Sequence, residues 1–254
     1  MQFYRCLMSE FKKRKRSLFL LLHLSIPVML PAALVMYFLS RNGSIGSEAS
    51  YVTFFELIGV GTPVIISIIC GLVADSENEA GHFQNMLGVI QSRALSFISQ
   101  TTMMIFSNCI AMFSTISIYT LALKSLVGLD EVDFTLYYLT GIIFVVASIF
   151  QYLFYQVIGY KYGIGSCSLW GFAGLIIAAL TMTSIGDKIW AFLPWAWASR
   201  FSEYLSNYWK TVDIELVGNP MLISGGYSLV ILTGGMIIVS IVWINHWAGR
   251  KSND

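Results

Sequence analysis

Residues 75–93 read DSENEAGHFQNMLGVIQSR and lie between two long apolar stretches of the chain. Three of the first five residues are acidic, which suits the start of a helix because the helix dipole is positive there. Further along, Phe83, Leu87 and Ile90 are spaced i, i+4 and i+7, as on one face of a helix. This pattern predicts a short amphipathic helix that a soluble partner could bind.

The remaining sequence is too apolar for a soluble protein. Of 254 residues, 56% are hydrophobic and only 11% are charged, whereas about a quarter of the residues of a soluble domain are charged. A membrane-spanning helix needs about 20 predominantly apolar residues. Six stretches meet that requirement, and they predict an all-α integral membrane protein with one domain over 1–254: residues 17–39, 52–74, 94–123, 134–159, 163–184 and 221–244.

The basic residues predict the orientation of these spans. Placing the N-terminus inside leaves ten lysines and arginines in cytoplasmic segments and five in outer segments, as the positive-inside rule requires. Both termini and residues 75–93 are then cytoplasmic, and residues 185–220 are extracellular. Residues 1–16 combine an apolar helical face with a basic run, which predicts a helix lying in the inner membrane interface.

The last outer segment is rich in aromatic residues and is expected to form a broken helix that caps the outer mouth. Two interpretations are open: an aromatic belt at the interface, or direct contact with an amphiphilic substrate. Glu56 is the carboxylate inside a predicted span; such a group is a functional candidate, although it also lies close enough to the outer end to reach water. The candidate substrate contacts are Glu56, Trp190, Pro194, Trp195, Trp197 and Arg200.

Several kinds of chemistry are missing from the sequence. No GxxxxGK[ST] motif is present, so the chain has no P-loop for nucleotide. The three histidines are far apart and none has the spacing of a metal ligand set. The basic residues are not interleaved with aromatic residues in a soluble patch, so the sequence gives no support for nucleic-acid binding. We therefore expect a passive helical bundle with a cytoplasmic docking helix rather than an enzyme, with no cofactor and no metal of its own.

Three stretches resemble a known family: SEFKKRKRS at 9–17, ENEAGHFQNML at 77–87 and SIGDKIWAFLPWAWASRF at 184–201. Together with the number of spans, they make the chain similar to ABC-2 type permeases, and more narrowly to lantibiotic immunity permease subunits of the MutG-like kind. The resemblance implies a multi-pass protein of a bacterial plasma membrane. It also implies an ATPase dimer that binds ATP and magnesium, a second permease subunit, membrane lipid and a lantibiotic peptide as partners.

In such an assembly residues 75–93 would be the coupling helix between the second and third spans. The resemblance then assigns ATPase contacts to Glu77, Glu79, Gly81, His82, Phe83, Gln84 and Leu87. The function implied is ATP-driven removal of antimicrobial peptide from the membrane. Two alternatives are a membrane sensor or scaffold that docks a cytoplasmic partner without transport, and an ABC-2 permease for another amphiphilic drug such as bacitracin.

Overall fold

A computed structural model describes residues 2–41, 45–84, 92–211 and 218–250. Within these ranges every regular element is a helix, which confirms the all-α class. The long elements are α1 Gln2–Lys13, α2 Leu18–Ser40, α3 Ser47–Glu79, α4 Arg93–Ala122, α5 Phe134–Thr181, α6 Trp197–Thr211 and α7 Pro220–His246. Shorter ones are a π-helical turn at Leu123–Val127 and 3₁₀ turns at Gly186–Lys188 and Trp190–Phe192.

Five helices in the described part of the chain are long and apolar enough to cross a membrane: α2, α3, α4 with its π-helical turn, α5 and α7. The chain is therefore a multi-pass membrane protein by the length and composition of its helices. The predicted amphipathic helix at the N-terminus is present as α1, which packs on α4 through an edge-to-face contact between Phe11 and Phe106.

The longest helix, α5, is folded back on itself at Gly163. This glycine has φ 86° and ψ −179°, a conformation that ends one helical arm and starts the next. Tyr155 donates a hydrogen bond of 3.3 Å to the carbonyl oxygen of Trp170, although a straight helix would separate these residues by about 22 Å. The element is thus a hairpin with arms 134–162 and 164–181, which confirms the break predicted between its two apolar stretches.

Both arms of the hairpin pack closely along α3. A Cβ atom added to Gly71 would lie 2.9 Å from the Cα atom of Ile164, and one added to Gly159 would lie 3.2 Å from the carbonyl oxygen of Cys70. The thiol of Cys167 donates to the carbonyl oxygen of Ser67 at 3.0 Å. Small side chains allow this approach, as is usual where helices meet in lipid.

The amphipathic helix predicted over residues 75–93 does not begin as a separate element at Asp75. Residues 75–79 extend α3, and residues 80–83 form a turn with positive φ at Gly81, His82 and Phe83. The α3 helix continues past Asp75 because the carboxylates on its last turns find basic partners inside this protein. Residues 85–91, which include Leu87 and Ile90, lie outside the described residues.

The aromatic segment at residues 186–196, here called the aromatic wedge, is broken at Pro194 as predicted. It does not merely cap the bundle. Trp195 donates a hydrogen bond of 2.8 Å to the hydroxyl of Tyr155, and the carbonyl oxygen of Pro194 accepts one of 3.4 Å from Gln151. Both partners lie well inside the first arm of α5. The expectation of an outer cap is therefore corrected to a segment inserted between helices, because the indole of Trp195 lies between Gly174 on the second arm of α5 and Tyr155 on the first.

Candidate functional sites at the two ends of α3

A charged junction lies near the C-terminal end of α3. It consists of Glu10, Lys13, Arg14 and Glu77, two anions and two cations that balance in charge. The carboxylate of Glu77 lies 2.7 Å from Nη2 of Arg14, and both side chains are about 95% buried. Arg14 also donates to the hydroxyl of Ser76. The junction therefore fixes α1 and the turn that follows it against α3.

Lys13 completes the junction from its half-exposed edge. Its ammonium lies 2.7 Å from Glu10 and 3.2 Å from Glu77. Burial acts to lower the pKa of Lys13, but the charges and hydrogen bonds of the two carboxylates outweigh it and raise that pKa. The lysine is therefore charged at every physiological pH.

A layer of uncharged polar side chains connects the junction to α4 and α5. Gln100 donates a hydrogen bond of 3.1 Å to Glu10, and its amide oxygen accepts one of 3.1 Å from Gln156 and another from Tyr160. These groups are buried, and a buried polar group is tolerated only when it is hydrogen-bonded. Four helices, α1, α3, α4 and α5, thus meet in one polar network.

The tip of the α5 hairpin is held by a second ion pair. Asp75 accepts a hydrogen bond of 3.3 Å from the backbone N–H of Ile164, at the start of the second arm. Arg250 donates one of 2.7 Å to the carbonyl oxygen of Gly159, at the end of the first arm. The two side chains are 2.9 Å apart. The negative Asp75 thus lies at a helix N-terminus and the positive Arg250 at a helix C-terminus, which are the arrangements that the helix dipole favours.

Phe83 fixes the turn that follows α3. Its ring is 1% exposed and lies 4.8 Å from the ring of Trp247 and 5.4 Å from that of Tyr160, measured between centroids. The guanidinium of Arg250 lies 5.6 Å from the same ring. In this arrangement Phe83 and the buried Glu77 contact their own chain, so neither presents a surface to a partner. Leu87, the other apolar residue predicted to contact the ATPase, lies outside the described residues.

The remaining residues assigned to a partner surface are accessible. Glu79, His82 and Gln84 are exposed, and Gly81 is partly exposed at φ 121°. They form the outer face of a turn whose inner face is held by Phe83. We call this face the exposed turn: Glu79, Gly81, His82 and Gln84. It is a polar surface on a backbone that is anchored from beneath.

An acidic pocket of about 180 Å³ lies near the N-terminal end of α3, with Glu48, Glu56, Glu203 and Lys210 in its wall. Glu48 is paired with Lys210, and Glu203 lies 3.0 Å from Arg200. In the described part of the chain Glu56 has no ion-pair partner. A carboxylate without a counter-ion beside two others makes the pocket suited to a cationic group.

Most of the other predicted substrate contacts are structural. Trp190 and Trp197 are at most 1% exposed, and the indole N–H of Trp197 donates to the carbonyl oxygen of Ala191 at 2.9 Å. Pro194 is buried and Trp195 is partly buried. Arg200 is 7% exposed and donates to the carbonyl oxygen of Thr181 at 2.7 Å, at the end of α5. Among these residues, only Glu56 is exposed.

Sequence reasoning missed Glu48 and Glu203 as neighbours of Glu56. Glu48 and Glu56 are eight positions apart on α3, which places them on similar faces of the helix, and this spacing was a usable signal. Glu203 belongs to α6 and reaches the pocket only through tertiary packing, so no local pattern could have found it.

Comparisons with protein-family models, with curated proteins and with solved structures each gave no match. Among the described residues there is also no group of three or more His, Cys, Asp or Glu side chains arranged to hold a metal ion. The geometry on its own therefore describes an anchored polar turn and an acidic pocket at opposite ends of one long helix.

Proposed function

We propose that this chain is the membrane subunit of an ATP-driven exporter that removes an amphiphilic antimicrobial peptide of the lantibiotic class from the bilayer. A separate ATPase subunit would bind ATP and magnesium and supply the energy, and a second permease chain would complete the pathway. Support comes from the family resemblance of residues 9–17, 77–87 and 184–201 and from the five long apolar helices.

The observation that carries the proposal is the continuity of α3. Its 33 helical residues connect the exposed turn at one end to the acidic pocket at the other, over about 50 Å. Because α3 packs against both arms of the α5 hairpin, displacement at one end of α3 would be transmitted to the other. This suits a subunit that has to couple a motor outside the membrane to a substrate site at the opposite surface.

The ATPase would contact the exposed turn. Glu79, His82 and Gln84 offer a carboxylate, an imidazole and an amide to basic or polar partners. Glu77 and Phe83, assigned by sequence to the same interface, would act instead by holding the turn in place. Their contacts with Arg14 and Trp247 would pass force on the turn to α1 and to the end of α7.

The peptide would bring a cationic group to the acidic pocket, with Glu56 as the contact that is retained from the sequence prediction. In this arrangement the two arms of α5 count as two crossings, which makes six in all. Both termini and the exposed turn then face the cytoplasm of a bacterium, and the acidic pocket faces outward. The tip at Gly163 lies beside Asp75, on the same side as the exposed turn.

Copurification tests the docking surface. The chain would be coexpressed with an ABC ATPase subunit from the same organism, preferably one encoded in a neighbouring gene, and the amount of ATPase recovered per permease would be measured. We expect Glu79→Arg to reduce recovery at least fivefold, because it reverses the charge on the exposed turn. The matched control is Glu131→Arg, which reverses an exposed carboxylate near Ser47 at the opposite end of α3. Equal recovery with both variants would contradict the assignment.

Side-specific labelling tests the orientation separately. Single cysteines at Gln84 and Glu131 would be introduced after replacing the partly exposed Cys6 and Cys109 by serine. In intact cells an impermeant maleimide should label the cysteine at 131 and should reach the one at 84 only after permeabilisation. The opposite result would reverse the proposed topology.

A further inference from the structure

A groove of about 750 Å³ runs along one face of α2, starting at the N-terminal end of that helix. Leu21, Leu24 and Val28 lie in its wall and are spaced i, i+3 and i+7, so they share one helical face. Each of these side chains is more than half exposed. The groove is therefore open to the bilayer along its length rather than enclosed by protein.

The apolar part of the groove is about as long as one leaflet is deep. From Leu18 to Met29, its first and last apolar residues, the helix rises about 17 Å. Half of the hydrocarbon core of a bilayer measures about 15 Å. The opposite face of α2, which includes Phe19 and Pro27, is buried against the protein. The exposed face thus has the length of an extended acyl chain.

Positive charge gathers where the groove begins. Arg16 is exposed and lines the groove just before its apolar part, with φ 68° in the turn between α1 and α2. Lys12 and Lys15 precede it and are also exposed. We call these three residues the basic elbow. An amphipathic helix such as α1 lies at the boundary between headgroups and acyl chains, so the basic elbow is at the level of lipid phosphates.

The basic elbow has no anion of its own. Within the described ranges none of its three cations has an ion-pair partner. The carboxylates of the charged junction, Glu10 and Glu77, are already paired with Lys13 and Arg14. The basic run therefore divides into two cations that are neutralised inside the protein and three that face outward and attract an anion from outside.

We propose that the groove and the basic elbow together bind one anionic phospholipid, with its phosphate against Arg16 and an acyl chain along Leu21, Leu24 and Val28. A zwitterionic lipid fills the apolar face equally well but brings no net charge to the basic elbow. Lipid is the occupant because the groove opens to the bilayer, matches a leaflet in length and carries its charge at headgroup level. This inference requires only that the chain crosses a membrane, and it is independent of the proposed transport function.

Quenching by brominated lipids tests the proposal on the full chain in nanodiscs of phosphatidylcholine. Ser25→Cys carries a bimane label in the groove wall, after Cys6 and Cys109 have been replaced by serine. The fraction of dibromo-acyl phosphatidylglycerol or dibromo-acyl phosphatidylcholine is then raised until quenching is half-maximal. We expect that mole fraction to be at least fivefold lower for phosphatidylglycerol, because each basic residue near an anionic lipid contributes about fivefold.

A bimane label on Phe172→Cys is the matched control. Phe172 is 55% exposed and lies eight residues after the second arm of α5 begins at Ile164, whereas Ser25 lies seven residues after the start of α2. Both helices start beside the last turns of α3, so the two labels lie at similar depth. At Phe172 the two brominated lipids should quench alike.

A charge variant examines the basic elbow itself. Arg16→Gln should reduce the preference for phosphatidylglycerol at Ser25 two- to fivefold and leave quenching by phosphatidylcholine unchanged. Lys124→Gln is its control, because Lys124 is exposed in the π-helical turn at the far end of α4 and has no ion-pair partner within the described ranges. This variant should keep the full preference.

The comparison of two lipids on one labelled chain can overturn the inference without any charge variant. Equal half-quenching at Ser25 would mean that the basic elbow selects no headgroup. A label at Ser25 that neither lipid quenches would mean that protein, such as a second copy of the chain, covers the groove. An equal preference at Phe172, or a full preference in Arg16→Gln, would place the selectivity elsewhere. Each of these results contradicts the proposal.

Discussion

Arg14 and Glu77 form an ion pair with 2.7 Å between guanidinium nitrogen and carboxylate oxygen, and their side chains are 6% and 5% exposed. Sixty-three positions separate them in the sequence. The pair joins the turn after α1 to the last turns of α3, directly beneath the turn that we assign to the ATPase. Its burial makes it structural rather than part of a contact surface.

Neutralising this carboxylate should destabilise the protein. Glu77→Gln leaves the buried guanidinium of Arg14 without its closest counter-ion, and we expect the free energy of unfolding to fall by about 3 kcal/mol. Denaturant unfolding of the purified chain in detergent would measure it. Glu79→Gln, the same change at an exposed position two residues later, should have little effect. Similar losses for both variants would show that the junction carries no special stability.

The hairpin tip offers a sharper comparison between two glycines. Gly163→Ala places a side chain at φ 86° and ψ −179°, and it should cost about 1–3 kcal/mol. Gly165, two residues later, has an ordinary helical backbone with open space around it. Gly165→Ala should leave stability unchanged or raise it by up to about 1 kcal/mol. If the two alanines behave alike in the unfolding measurement, α5 does not turn at Gly163.

Close packing between α3 and the hairpin can be tested within one helix. A Cβ atom at Gly71 would lie 2.9 Å from the Cα atom of Ile164, so Gly71→Ala forces the backbones apart and should cost about 1–3 kcal/mol. The control is Gly61→Ala, ten residues earlier on α3, where a Cβ meets nothing within 4 Å. In thermal unfolding, the midpoint temperature of Gly61→Ala should be clearly higher than that of Gly71→Ala. The reverse order would contradict the close packing of α3 on the hairpin.

Removing the Phe83 ring should release the exposed turn. Phe83→Ala empties the space beside Tyr160 and Trp247 and should cost about 3–5 kcal/mol. Hydrogen exchange followed by mass spectrometry should show faster exchange in residues 76–84 than in the wild type. Gln84→Ala, beside it and exposed, should leave exchange unchanged. Unaltered exchange in Phe83→Ala would mean that the ring does not hold the turn.

Local patterns in the sequence were sufficient to predict the apolar helices, the helix α1 and the breaks near Gly163 and Pro194. Each of these depends on the composition or spacing of neighbouring residues. The candidate sites depended on more distant relationships. Glu56 was found from its position inside an apolar run, but its neighbour Glu203 comes from α6, and no periodicity connects them.

The same limit explains why the prediction differs from the structure at residues 75–84. The sequence placed charged and aromatic residues there in a pattern that is equally compatible with an exposed helix and with an anchored turn. The anchored turn forms because residues from elsewhere in the chain bind its side chains. Arg14 supplies a counter-ion for Glu77, and the rings of Tyr160 and Trp247 pack against Phe83. A helix that finds partners for its polar side chains can continue beyond the point where composition suggests that it ends.

The sequence by itself determined that this chain is a set of apolar helices preceded by one basic amphipathic helix at the N-terminus, because hydropathy is a sum over adjacent residues. Only the tertiary structure decided that Phe83 and Glu77 face inward and that the aromatic wedge enters the bundle. Those outcomes depend on which side chains meet across helices, and such meetings are fixed by packing rather than by any one segment.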